Sequence, residues 1–145
     1  MENRRFPERP SGYTVDVAET DYARLRACAN DTETASVTTA VRTAYGITKH
    51  IHTWTECDER ILRILEQEKI RAAGQAVGLL HRINMDCSDE ELVELPGFKI
   101  TQGFSTVSKV MRYSVGVYTQ RYVEFGARGV ITIPRTDLSD ITAIT

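Results

Sequence analysis

Along the first third of the chain, apolar positions repeat first with the period of a strand and then with that of a helix. The segment YTVDV, residues 13–17, alternates apolar and polar side chains and predicts a short strand. Thr20 or Asp21 can cap a helix that continues to about Asn30. A second helix is predicted at 33–45, where apolar residues recur at intervals of three and four. Those residues are Val37, Ala40, Val41, Ala44 and Tyr45.

Gly46 follows the second predicted helix and offers a left-handed stop, so the helix is predicted to end there. About thirty residues without proline come next and predict a helix over about 55–84, with Thr55 and Asp58 spaced as a capping box. At 1.5 Å per residue this helix would be about 45 Å long and would be the spine of the fold.

Small residues crowd the second half of that predicted helix. Gly74 and Gly78 would each cost roughly 1 kcal/mol relative to alanine within a helix. The close approach of another helix, from this chain or from a second copy, would offset that cost. We therefore predict an interface formed by Ala73, Gly74, Val77 and Gly78.

The amino-acid composition changes in the last third of the chain. SDEELVEL predicts a short helix in which Ser88 and Glu91 form a capping box and Pro96 with Gly97 ends the helix. Beyond it valine, isoleucine, threonine, tyrosine and phenylalanine replace alanine and leucine, which favours strands. The predicted strands cover 98–101, 105–113, 115–125 and 130–133, with glycines 103, 116, 126 and 129 at turns or bulges.

A competing pattern runs through the same segment. Seven apolar residues from Phe104 to Phe125 are spaced by three or four, which indicates a helix. They are Phe104, Val107, Met111, Val115, Tyr118, Tyr122 and Phe125. We give the strand propensity of these residues more weight than their helical spacing. The expected fold is therefore α+β, with N-terminal helices packed on a C-terminal antiparallel sheet. A mostly α-helical fold is the alternative.

Composition fits one domain and no membrane partner. The chain has 145 residues, of which 41% are hydrophobic and 26% charged, and it lacks a continuous apolar run of membrane-spanning length. Residues 1–12 combine arginines and prolines and predict a flexible basic arm, whereas 13–145 form the single domain. Without an apolar leader in that arm, the expected location is the cytoplasm or a virion.

One cluster of chemistry-bearing residues lies in KHIHTWTEC. If 47–54 is extended, His50 and His52 face one side and Cys57 follows in the next helix, which makes half of a zinc site. A fourth ligand is not indicated, so no metal and no other cofactor is expected. Cys57 as a nucleophile is disfavoured because Glu56 and Asp58 oppose its ionisation. Polar residues on a linker strand are the simpler interpretation.

Net charge is −2 overall, but it is −5 over 1–96 and +3 over 97–145. The basic C-terminal part interleaves tyrosines with cations, as nucleic-acid-binding surfaces do. The candidate contacts are Arg4, Arg5, Arg9, Lys109, Arg112, Arg121 and Arg128. The opposing interpretation is a half-buried sheet with a solvated charged face.

Dinucleotide, phosphate-loop, metalloprotease and serine-hydrolase motifs are absent from the sequence. We therefore expect a protein without enzymatic activity: a homo-oligomeric structural or adaptor component of the kind that viruses and phages assemble. A nucleic-acid-binding regulator using the basic C-terminal region is the first alternative. A small enzyme or metalloprotein centred on His50, His52 and Cys57 is the second.

Overall fold

Five helices and a two-stranded sheet make up the part of the chain that the computed structural model describes, residues 12–31, 36–53, 59–74, 78 and 80–126. In chain order the elements are β1 (Gly12–Ala18), α1 (Glu19–Asp31), α2 (Val37–Ile51), α3 (Glu59–Ala73), β2 (Leu80–Asp86), α4 (Asp89–Gln102) and α5 (Val107–Phe125). Helices account for 74% of the described residues, so the fold is mostly helical and not the expected α+β arrangement.

Helix α5 is the centre of the fold. It packs against α1, α2, α3, α4 and β1, and most of its side chains are buried on every side. A helix that is covered all round tolerates β-branched and aromatic residues, because packing rather than intrinsic propensity decides its stability. The Thr106 side chain accepts a hydrogen bond from the Lys109 amide at its start, and Gly126 ends it with a φ of 74°.

The predicted C-terminal antiparallel sheet is therefore wrong. Residues 98–101 belong to α4, and α5 takes up most of 105–113 and all of 115–125. The predicted strand at 130–133 lies outside the described residues. The strand-like composition was misleading, and the competing spacing of apolar residues by three and four matched the helix that forms.

The sheet instead joins β1 to β2. The strands pair antiparallel from Gly12 opposite Asp86 to Ala18 opposite Leu80, which confirms the short strand predicted at 13–17. Its inner face packs on α2 and α5. The buried side chains on that face are Val15, Val17, Ile83 and Met85.

The predicted long helix at 55–84 is also wrong. Helix α3 ends at Ala73, Gly78 adopts a left-handed φ of 88°, and 80–86 is the strand β2. Gly74 directly follows the end of α3, and its conformational freedom makes glycine a poor residue with which to continue a helix. Beyond them, buried Ile83 and Met85 alternate with exposed residues, which is a strand pattern.

Two helices run past their predicted ends. Helix α2 continues through Gly46 to Ile51, because Ile47, Thr48 and Ile51 prolong its buried face. Helix α4 continues through Pro96 to the left-handed Gly103.

The start of α4 agrees with the sequence. Both hydrogen bonds of the predicted Ser88–Glu91 capping box are present, at 2.8 and 3.2 Å. The helix predicted to end near Asn30 is α1, which ends at Asp31 but begins at Glu19, so Thr20 and Asp21 lie inside it rather than capping it.

Candidate functional site

The described histidines of the KHIHTWTEC cluster are not on an extended strand. His50 lies inside α2 and His52 is its C-cap residue, so 47–51 is helical, whereas both the linker-strand interpretation and the alternative zinc half-site required an extended segment. Side chains two apart on a helix point to different sides. Cys57 lies outside the described residues. Within those residues, no group of three or more histidine, cysteine, aspartate or glutamate side chains could hold a metal ion.

The three described residues of the predicted glycine interface, Ala73, Gly74 and Gly78, do not share a helix face. Ala73 is the last residue of α3, Gly74 follows the helix, and Gly78 is exposed in a left-handed turn. Val77 lies outside the described residues. The continuous helix on which that prediction rested ends at Ala73.

The described residues of the predicted basic surface are bonded or at least partly buried within the fold. Arg112 donates to the carbonyl oxygens of Ala72 and Gly74, at 3.3 and 3.0 Å, and so satisfies the C-terminal end of α3. Arg121 is only 1% exposed, and Lys109 is half-buried. Arg4, Arg5, Arg9 and Arg128 lie outside the described residues.

The tyrosines between those cations are not a stacking platform for bases. Tyr113 and Tyr118 are buried in the core, and Tyr122 is half-buried against it. A single-stranded nucleic acid needs exposed aromatic faces. The described part of the basic region therefore gives the nucleic-acid interpretation no support.

A cleft between α2, α3 and α5 collects the polar groups that the structure does bring together. His52 Nε2 and Tyr113 Oη are 2.9 Å apart at one side of it. Its volume is about 390 Å³, which is within the range of small-molecule sites. The lining residues are His52, Leu62, Leu65, Glu66, Lys69 and Tyr113.

Burial keeps the histidine–tyrosine pair neutral. Desolvation, with a smaller contribution from the Lys69 ammonium, lowers the pKa of His52 below its usual range. Desolvation, followed by the charge of Glu68, raises the pKa of Tyr113 well above its usual range. The ring of Phe98 packs edge-on against His52 with centroids 5.4 Å apart, which holds the imidazole in place. The pair can therefore donate or accept hydrogen bonds without carrying charge.

Helix α4 carries a second feature that the sequence reading missed. Val93 and Ile100, seven residues apart, are 79% and 71% exposed. Pro96 and Gly97 lie between them, and the four residues form the α4 outer stripe. Seven residues are almost two full turns, so these side chains share one face of the helix.

The opposite side of α4 is fixed to the protein. Glu94 accepts hydrogen bonds from Lys49 Nζ at 2.7 Å and from Tyr45 Oη at 3.0 Å, and Glu91 pairs with Arg42. Leu95 is fully buried beneath the helix. These contacts hold the outer stripe facing outward. The spacing of Val93 and Ile100 could be found in the sequence only if the helix was allowed to cross Pro96.

Of the helices that the structure describes, none combines the length and apolar character needed to traverse a lipid bilayer. Comparison of the chain with protein-family models, with curated proteins and with solved structures found no match.

Proposed function

We propose that this protein is a non-enzymatic, homo-oligomeric structural or adaptor protein, and that two copies associate through the α4 outer stripe. The observation that supports this is the outward placement of Val93 and Ile100 on a helix whose inner face is already packed. Scattered exposed apolar residues are normal on protein surfaces, whereas two in register on one helix face form a seam.

The stripe is complementary to itself. In an antiparallel pair centred between Pro96 and Gly97, Val93 of one copy meets Ile100 of the other, and the same contact recurs on the opposite side. Such a two-fold contact is closed and needs only one surface patch. Gly97 is exposed, and a Cβ built on it would meet no atom within 4 Å, so a second helix can approach closely there.

Charges along α4 favour the same antiparallel arrangement. Asp89 and Glu90 are exposed in the first turn, and Lys99 lies in the last turn. In the pair described above, Lys99 of the second copy lies about four residues, roughly 6 Å along the axis, from Glu90. Antiparallel helices also oppose their dipoles.

The size of the contact limits its strength. A helix of 14 residues is about 21 Å long. Two such helices bury less than the roughly 1,200 Å² of a standard stable interface. We therefore expect a dimer whose dissociation constant is micromolar rather than nanomolar.

Sedimentation equilibrium over about 5–500 µM protein, a range chosen to bracket micromolar dissociation, tests this proposal. The wild-type average mass should rise from the monomer value of 16.3 kDa toward twice that value with concentration. Val93→Lys should remain monomeric throughout. Val123→Lys is the matched control, because Val123 is an exposed valine on α5 and is not part of the α4 outer stripe.

Two results would count against the proposal. One is a wild-type mass that stays monomeric at every concentration. The other is equal weakening by the Val93 and Val123 substitutions, which would show that any added charge reduces association, independently of the α4 outer stripe.

A further inference from the structure

We propose that the cleft between α2, α3 and α5 binds a small zwitterion with an apolar body, namely a free α-amino acid with a large apolar side chain. This proposal is independent of association through α4. It rests on the cleft's shape, its apolar wall and the opposite charges at its rim.

The apolar wall comes from α3. Leu62 and Leu65 lie one turn apart on the same side of the helix and both line the cleft. Leu65 is half-buried against the core. Leu62 is 51% exposed, so much of the Leu62 side chain remains accessible to a ligand. An apolar ligand side chain placed there would cover Leu62 and remove its surface from water.

Two opposite charges line the same cleft. Glu66 and Lys69 are three residues apart on α3, and neither forms an ion pair among the described residues. Lys69 makes one long hydrogen bond, 3.4 Å, to the amide oxygen of Gln102. A ligand carrying only a carboxylate would be repelled by Glu66, and one carrying only an ammonium group by Lys69. A zwitterion satisfies both charges.

The histidine–tyrosine pair supplies a neutral donor beside Lys69. In the tautomer in which His52 Nε2–H donates to Tyr113 Oη, the phenol hydrogen is left to donate to a ligand carboxylate. Tyr113 is buried and His52 is half-buried, and their ring contacts with Phe104 and Phe98 fix the direction of that donor. The carboxylate would then lie between Tyr113 and Lys69, with the ligand ammonium directed to Glu66.

The volume sets the size of the ligand. About 390 Å³ is near the lower limit of small-molecule pockets, so the cleft suits one amino acid rather than a peptide or a cofactor. One side of the cleft is open, and a ligand this small has few atoms with which to offset its lost freedom. We expect a dissociation constant on the order of 1 mM.

Three probes with the same phenyl body separate the charge requirements: L-phenylalanine, 3-phenylpropanoate and 2-phenylethylamine. Each is titrated to about 20 mM, well above the expected dissociation constant, into the full isotope-labelled chain, and amide and His52 ring signals are followed by NMR. L-Phenylalanine should give saturable shifts at the cleft. The two singly charged probes should bind at least fivefold more weakly.

Variants locate the site. Lys69→Gln and Glu66→Gln should each weaken L-phenylalanine binding at least fivefold, while Lys99→Gln, a matched change on α4 outside the cleft, should leave it unchanged. Both cleft substitutions are on the exposed face of α3, so the chain should keep its fold and its spectrum. Three results would overturn the proposal: no saturable shift in a well-folded chain, equal affinity for all three probes, or an affinity for L-phenylalanine that neither cleft substitution weakens.

Discussion

Substituting Gly116 by alanine tests the close contact between Gly116 of α5 and Glu68 of α3. An alanine Cβ at this position would lie 2.2 Å from Glu68 Oε1 and 3.0 Å from its carboxyl carbon. Glu68 is only 7% exposed. Its Oε1 accepts two hydrogen bonds from Arg71, at 2.8 and 3.0 Å, and Arg71 also donates to Asp21. The carboxylate therefore cannot move aside without breaking a held ion pair.

The expected sign follows from two opposing effects. In the middle of a helix, alanine is favoured over glycine by about 1 kcal/mol. Overpacking a filled core costs about 1–3 kcal/mol, and separating a buried carboxylate from its partner costs about 3–5 kcal/mol. Arg71 is half-exposed, so the second figure is an upper limit. We expect Gly116→Ala to lower the free energy of unfolding by about 1–2 kcal/mol.

Urea denaturation at neutral pH measures this change, and Gly46→Ala is the matched control. Gly46 lies within α2, where an added Cβ would meet no atom within 4 Å. The same substitution should raise the free energy of unfolding there by up to about 1 kcal/mol. If Gly116→Ala is stabilising to the same extent as Gly46→Ala, Glu68 moves freely and the close α3–α5 contact is refuted.

Two further predictions concern a helix start and the cleft histidine. Ser88→Ala should lower the free energy of unfolding by about 1 kcal/mol in urea titrations, because the Glu91 amide loses its capping acceptor; an unchanged midpoint would contradict that role. His52 has a lowered pKa in the folded state, whereas the unfolded chain binds the proton near pH 6.5, so its contribution to stability is present above that pH and lost as the pH falls toward the folded-state pKa. The loss of stability on going from about pH 7 to 5 should therefore be smaller in His52→Gln, and an identical pH dependence would show that His52 is not the group responsible.

The sequence predicted β1, α1 and the start of α4 correctly because each depends on local signals. The strand at 13–17 alternates, and Ser88 with Glu91 forms a box within four residues. The prediction for the α5 segment was wrong because the conformation of this segment depends on contacts with residues that are distant in sequence. Strand propensity describes half-buried surfaces, whereas α5 is covered by five other elements, and no local pattern reveals how many neighbours a segment will have.

Glycines 46, 74 and 78 show why glycine alone does not determine a helix end. Gly46 was predicted to stop a helix, yet α2 continues through it because Ile47 and Ile51 gain burial beyond it. Gly74 and Gly78 were predicted to lie inside a helix, yet the helix ends before them and β2 follows. The difference lies in what comes next: apolar residues at helical spacing in one case, strand alternation in the other.

The candidate cleft depends directly on that first error. If α2 ended at Gly46, His50 and His52 would share one side of an extended segment, which is the arrangement that suggested zinc. Because α2 reaches Ile51, His52 caps the helix and meets Tyr113, 61 residues further along the chain. Tyr113 reaches the cleft only because its segment is a helix rather than a strand. A pair assembled in this way has no sequence motif, and its chemistry becomes visible only once the end of α2 at Ile51 and the helical state of α5 are both known.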